Sequence, residues 1–149
     1  MKIVFMGTPE FSVRILERLH TEYGVNLVVT QPDKQVGRKK VVTYSPVKEK
    51  AVELGIEVFQ PRSIRNEFQR ILDIQPDIII TAAYGQIIPN DFLDLSKKGF
   101  INIHASLLPK WRGAAPIQRS IINLEKETGI SIMKIGEKLD TGPVCNSYK

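Results

Sequence analysis

Three residues suited to polarising a carbonyl stand where a strand and a turn can bring them together. The segment Asn102-Ile103-His104-Ala105-Ser106-Leu107-Leu108-Pro109 follows the apolar Gly99-Phe100-Ile101, which reads as the end of a β-strand. Side chains alternate between the faces of a strand, so Asn102 and His104 project from the same side. The Asn102 amide can donate to a developing oxyanion. The His104 imidazole can exchange a proton near neutral pH. Asp140 stands at the tip of the turn Leu139-Asp140-Thr141-Gly142-Pro143. There a carboxylate can stabilise an imidazolium, or accept a proton directly or through water. With no serine or cysteine nucleophile assigned, the set suits direct transfer of an activated carbonyl group to an incoming amine. No covalent intermediate on the protein is then needed.

Other chemistries fit the same residues less well. Ser106 beside His104 suggests a Ser-His hydrolase, yet no G-x-S-x-G elbow accompanies it. His20 and His104 are the only histidines, and no C-x-x-C or H-E-x-x-H pattern occurs, so no metal is expected. A lone histidine at a strand end is more often a hydrogen-bonded structural group than a catalyst.

The elements that must position this set follow from hydrophobic pattern and capping. Lys2 to Met6 is a compact apolar run ending at Gly7, consistent with a buried parallel strand. Thr8 is expected to cap the next helix, with Pro9 at its first position and Phe11, Ile15, Leu16 and Leu19 at helical spacing to about His20. Val25 to Thr30 reads as the second strand, giving a β-α-β unit with a right-handed crossover. The turn Gly7-Thr8-Pro9-Glu10 lacks the G-x-G-x-x-G pattern, and Glu10 would repel a phosphate, so dinucleotide binding is not expected. Gln31-Pro32-Asp33 opens a long basic loop. Ser45-Pro46 caps a second helix, and Ile56 to Phe59 is a short strand. A helix is expected over 65–73, a buried strand over Ile78 to Ala82, and a short helix over 90–95. Pro116 starts a helix to about Asn123 with Ile117, Ser120, Ile121 and Leu124 inward, and Thr128 to Ile135 alternates as a strand. No repeat or linker divides the chain, so it reads as one doubly wound α/β domain with a mostly parallel sheet.

Length and composition agree with that class. A chain of 149 residues can bury a core, and its apolar share of 42% is ordinary for a globular domain. A single cysteine, Cys145, excludes an intrachain disulfide, and no stretch approaches a membrane span. A soluble, cytoplasmic protein is expected. Net charge is +5, and Gln31 to Lys50 holds six basic residues against Asp33 and Glu49. Such a run is either a solvated loop or a phosphate-contacting patch for RNA or a nucleotide.

The central motif, continued by Trp111-Arg112-Gly113-Ala114-Ala115-Pro116-Ile117-Gln118 and Leu139-Asp140-Thr141-Gly142, closely resembles the methionyl-tRNA formyltransferase family. The likeness extends to Phe5-Met6-Gly7-Thr8-Pro9-Glu10-Phe11, Thr30-Gln31-Pro32-Asp33, Ser45-Pro46-Val47-Lys48 and Ala83-Tyr84-Gly85. The resemblance implies a Rossmann-like formyltransferase fold. It also implies transfer of the formyl group of 10-formyltetrahydrofolate to the α-amine of methionyl initiator tRNA. In that family's pattern Asn102, His104 and Asp140 match the catalytic trio. Ser106, Leu107, Leu108 and Pro109 match a folate-holding segment, and Tyr84, Gly85, Gln86, Ile87 and Ile88 match walls of the pterin pocket. The basic loop, with Arg38, Lys39 and Lys40, matches an insertion that contacts the tRNA acceptor end.

Family members are considerably longer and add a C-terminal β-barrel domain, so residues 1–149 are expected to be a catalytic domain incomplete at its C-terminal end. A monomer is the expected form. The competing readings are another folate-dependent formyltransferase, acting on glycinamide ribonucleotide or an amino-sugar nucleotide, a folate-binding hydrolase, and a non-catalytic folate-binding fragment.

Overall fold

The computed structural model describes residues 1–149. They form two compact units, residues 1–99 and 100–149.

The first unit is a parallel sheet with helices between its strands. In chain order it contains β1 (Ile3–Gly7), α1 (Glu10–Tyr23), β2 (Leu27–Val29), β3 (Lys34–Val36), β4 (Val41–Thr43), α2 (Pro46–Glu53), β5 (Val58–Phe59), α3 (Gln69–Ile74) and β6 (Ile78–Ala82). Within it, β1 pairs in parallel with β2 and β6, and β2 pairs in parallel with β5. Phe5 lies opposite both Val28 and Ile80. Strands buried on both faces read as continuous apolar runs. Accordingly Val4, Phe5, Met6, Leu27, Val28 and Val29 are all 0% exposed.

Two details at the start of α1 depart from the local signals. Pro9, not Thr8, occupies the N-cap, and no side chain caps the helix. The Thr8 hydroxyl instead donates to the Tyr84 carbonyl at 2.7 Å and accepts from the Gln31 N–H at 3.4 Å. It thereby ties together the chain leaving β1, β2 and β6. Gly7 is required by close approach: a Cβ there would lie 2.9 Å from the Ala82 carbonyl oxygen and 2.9 Å from Ser12 Cβ.

The basic segment is not an irregular loop. It is an antiparallel hairpin, with Lys34 opposite Thr43 and Val36 opposite Val41. Gly37 (φ +76°) and Lys40 (φ +48°) shape its turn, closed by Lys40 N–H donating to the Gly37 carbonyl at 3.1 Å. At α2 the expected cap is present, with Ser45 Oγ accepting from Lys48 N–H at 3.0 Å. Helix α3 starts later than its apolar spacing suggests. Residues 63–67 first close their own turn, Glu67 N–H donating to the Ser63 carbonyl and Ser63 N–H to the Glu67 carboxylate. Residues 90–92 form a single 3₁₀ turn where a longer helix was expected.

The second unit contains β7 (Phe100–His104), α4 (Pro116–Ile122), β8 (Ile130–Lys134) and β9 (Val144–Tyr148), with β8 antiparallel to both β7 and β9. The expected inward face of α4 is not inward. Ile117, Ile121 and Leu124 are 40%, 68% and 86% exposed, and only Ser120 of that set is buried. Apolar spacing specifies which residues share a face, but no element of this chain covers that face. No helix is long and apolar enough to cross a membrane.

Candidate active site

The second unit builds a site from one strand, one loop and one turn. Strand β7 carries Asn102 and His104, with Asn102 opposite Met133 and His104 opposite Ser131. Both side chains approach Asp140, as their shared face requires. Asn102 Nδ2 donates to Asp140 Oδ1 at 3.3 Å, and His104 Nδ1 lies 3.7 Å from Asp140 Oδ2. That last distance is an electrostatic contact rather than a hydrogen bond. Asp140 Oδ2 also accepts from the Gly113 N–H at 2.7 Å, while His104 Nε2 meets the Trp111 carbonyl at 2.8 Å. The His104 and Asp140 side chains are each 8% exposed, so water screens their interaction weakly.

The backbone that delivers these groups is conformationally costly. Trp111, Ala115 and Asp140 sit at φ +57°, +55° and +49°, in the left-handed region that side chains disfavour. Such strain persists only where surrounding contacts over-determine it, and it concentrates at functional sites. At the Asp140 turn those contacts are identifiable. Lys134 N–H donates to the Pro143 carbonyl at 3.0 Å, and a Cβ on Gly142 would fall 1.9 Å from the Lys134 carbonyl oxygen. Only glycine permits that approach.

Of the residues expected to hold folate, 106–109 belong to the second unit and 84–88 to the first. Ser106 is fully buried, and its hydroxyl donates to the Lys110 carbonyl rather than pointing outward. Leu107 and Leu108 are half-buried, and Pro109, after a cis peptide bond, is exposed. In the first unit Tyr84 is buried with its Oη unpartnered, and burial pushes its phenol well above the usual range. Gly85 is at φ +95°. Gln86 accepts from the Ile64 N–H at 2.8 Å and donates to Gln31 Oε1 at 3.1 Å. Ile87 is 86% exposed, and Ile88 is half-buried.

Arg38, Lys39 and Lys40 are exposed at the hairpin turn. The hairpin's base is anchored by Asp33, which pairs with Lys48 Nζ at 2.7 Å and accepts from Gln60 Nε2 at 2.8 Å. The Lys48 and Gln60 donors hold the Asp33 carboxyl below its usual range. Lys48 Nζ also sits 3.7 Å from the centre of the Tyr44 ring.

Several groups that shape the site leave little signal in the sequence. The Trp111 carbonyl and the Gly113 N–H are main-chain atoms, which residue identity does not announce. Ser131 was legible only as one alternating position of a strand. It is fully buried, donates to the Ser106 carbonyl at 2.7 Å and accepts from the Leu108 N–H at 3.0 Å.

An amide, an imidazole and a carboxylate are gathered in the second unit of an α/β chain, a set able to polarise a carbonyl and hold a proton. The family model described as Formyl transferase matches residues 1–148, and the chain belongs to that family. The methionyl-tRNA formyltransferase of Macrococcus caseolyticus is 55% identical over 150 residues, covering 99% of this chain and 48% of that protein. Its counterpart from Lysinibacillus sphaericus is 57% identical over 147 residues, covering 97% of this chain and 47% of that protein. The chain thus spans about half the length of the curated relatives it matches. The solved phosphoribosylglycinamide formyltransferase of Streptococcus pneumoniae superposes with a TM-score of 0.78 at 21% identity, over 99% of this chain and 80% of that one. At that identity the likeness concerns the fold, which is the expected α/β, mostly parallel, doubly wound formyltransferase type.

Proposed function

We propose that this chain carries the chemical centre of a methionyl-tRNA formyltransferase, moving the formyl group of 10-formyltetrahydrofolate to the α-amine of methionyl initiator tRNA in the cytoplasm. The observation that carries the reading is the cluster of Asn102, His104 and Asp140, with Asp140 held by the Asn102 amide and the Gly113 N–H. Identities of 55% and 57% to proteins bearing that name support the choice of acceptor.

The donor set fits a formyl group attached to a folate nitrogen, which supplies an activated carbonyl. Asn102 polarises the formyl oxygen as charge develops on it, and His104, once it has become an imidazolium, adds its positive charge beside that oxygen. His104 takes the proton released when the amine attacks and returns it to the departing nitrogen, so one C–N bond forms as another breaks. Asp140 stabilises the transient imidazolium from 3.7 Å away in a shielded environment. The surfaces of Leu107, Leu108 and Pro109 are assigned to folate on the family resemblance, with Ser106 buried beneath them. Tyr84, Gly85, Gln86, Ile87 and Ile88 are assigned to it on the family resemblance. Arg38, Lys39 and Lys40 are assigned to the tRNA acceptor end, where an anchored hairpin presents three cations without ordering them at binding.

The test is a formyl-transfer assay offering charged initiator tRNA and glycinamide ribonucleotide as alternative acceptors. Formylation of the tRNA is expected. Preference for the ribonucleotide would replace this reading with the purine-type activity, and transfer to water alone would replace it with a hydrolase.

A further inference from the structure

We propose that His104 handles the proton through Nδ1, and that Ser106 is a positioning residue that keeps Nδ1 in that role. It does so by holding the loop that ends at the Trp111 carbonyl. This rests on the preceding assignment of His104 as the proton-handling group.

The two imidazole nitrogens face different partners. Nε2 lies 2.8 Å from the Trp111 carbonyl oxygen, which can only accept. Nε2 therefore keeps its hydrogen in both the neutral and the charged imidazole. In the neutral ring Nδ1 then carries the lone pair, and it faces Asp140 Oδ2 at 3.7 Å. An ionised carboxylate is also acceptor-only, so a lone pair opposes a negative charge until a proton arrives. Rotating the ring by 180° would place a C–H against the Trp111 carbonyl and lose the hydrogen bond. The geometry thus prepares Nδ1 to receive a proton and Asp140 to stabilise the result. Over one turnover the attacking amine loses one proton to Nδ1, and Nδ1 gives one to the departing nitrogen. His104 ends as it began.

The Trp111 carbonyl needs support, because a bulky residue at φ +57° does not hold that conformation by itself. Two buried hydroxyls provide it. Ser106 Oγ donates to the Lys110 carbonyl, fixing the peptide that enters Trp111. Ser131 Oγ bridges the Ser106 carbonyl and the Leu108 N–H. The Lys110 N–H closes the same loop onto the Leu107 carbonyl at 3.1 Å. Ser106 and Ser131 are both 0% exposed, which removes their hydroxyls from contact with any ligand. Ser106 acts through Lys110 and Trp111, not on the substrate.

The test is the ¹⁵N spectrum of the two histidines in the full chain, taken at a pH high enough that the His104 shifts have stopped changing. Val25 N–H donates to His20 Nδ1 at 3.1 Å, so His20 supplies an internal reference for a ring protonated at Nε2. His104 is expected to show the same pattern. A ring protonated at Nδ1 overturns the inference and leaves the proposed reaction untouched. The expected pattern in a chain that forms no formyl-methionyl-tRNA would overturn the reaction and leave the tautomer standing. In Ser106→Ala the His104 signals should move toward a tautomer mixture, with kcat falling about 10–100-fold, the scale seen when a partner that orients a ligating histidine is lost. KM for the folate should change little, and Ser106→Thr, which keeps the hydroxyl, should restore the wild-type pattern. Unchanged His104 shifts and kcat in Ser106→Ala would remove Ser106 from the proposal. If that variant unfolds, seen as loss of the His20 pattern, Ser106→Thr decides the same point.

Discussion

The two units hold themselves together by different means. In residues 1–99 the interior is predominantly apolar: Phe5, Leu16, Leu27, Val28 and Ile79 are each fully buried, and parallel strands supply continuous branched side chains to both sheet faces. In residues 100–149 the buried apolar Phe100, Ala105 and Met133 are joined by as many polar groups and one more, His104 at 7% exposure, Ser106 and Ser131 at 0% and Ser120 at 3%. Three non-glycine residues there, Trp111, Ala115 and Asp140, hold left-handed backbone beside the site. Burial of apolar area is non-directional, whereas hydrogen bonds and restricted dihedrals fix the direction of individual groups. The first unit is organised for stability and the second for aim.

The sharpest way to separate these roles is to remove a reacting group. His104→Ala and Asp140→Ala should each lower formyl transfer by about 10²–10⁴-fold while the thermal midpoint moves little. Full activity in either variant would end the catalytic assignment. The opposite pattern is expected in the first unit. Phe5→Ala should cost about 3–5 kcal/mol in denaturant unfolding through the cavity it leaves. Where that variant remains folded, its turnover should stay near wild type. An intermediate case is Gly142→Ala, whose added methyl would collide with the Lys134 carbonyl. Displacing the Asp140 turn by about 1 Å should lower kcat about 10²-fold, more than the stability loss would suggest.

Smaller effects are expected at the hairpin. Arg38→Glu with Lys39→Glu should weaken tRNA binding and flatten the dependence of log affinity on log salt by about 0.7–0.9 per lost phosphate contact. An unchanged slope would return the hairpin to an ordinary solvated element. The smallest effect concerns its anchor. Asp33 is held below the usual carboxylate range by its Lys48 and Gln60 hydrogen bonds. Its ionised form therefore stabilises the fold fully above about pH 3.9, and that contribution is lost as pH falls through the lowered folded value. Urea midpoints measured from pH 6 downward should decline less steeply in Asp33→Asn than in the parent chain.

Much of this is legible in the sequence. The strand run Ile78 to Ala82, the Ser45-Pro46 cap and the alternation that places Asn102 beside His104 are all short-range patterns, and each appears as expected. The departures share one cause, which is competition from partners distant in the chain. Thr8 is a good local cap, but its hydroxyl goes to the Tyr84 carbonyl 76 positions away. The basic stretch pairs into a hairpin because Val36 and Val41 can meet across a glycine turn, a pattern masked by the surrounding charges. Ile121 and Leu124 were expected inside, yet no element of the chain covers them.

Residue types alone determined the parallel α/β class and the pairing of Asn102 with His104 on one strand face. They could do so because side-chain chemistry and strand periodicity are properties of nearest neighbours. Tertiary structure alone decided which atoms of those residues meet. Asp140 is aimed by a close approach of Gly142 to Lys134, and His104 is oriented by a main-chain oxygen that two buried serines hold in place. A backbone carbonyl is the same at every position, so only its placement by contacts distant in the chain can give it a role.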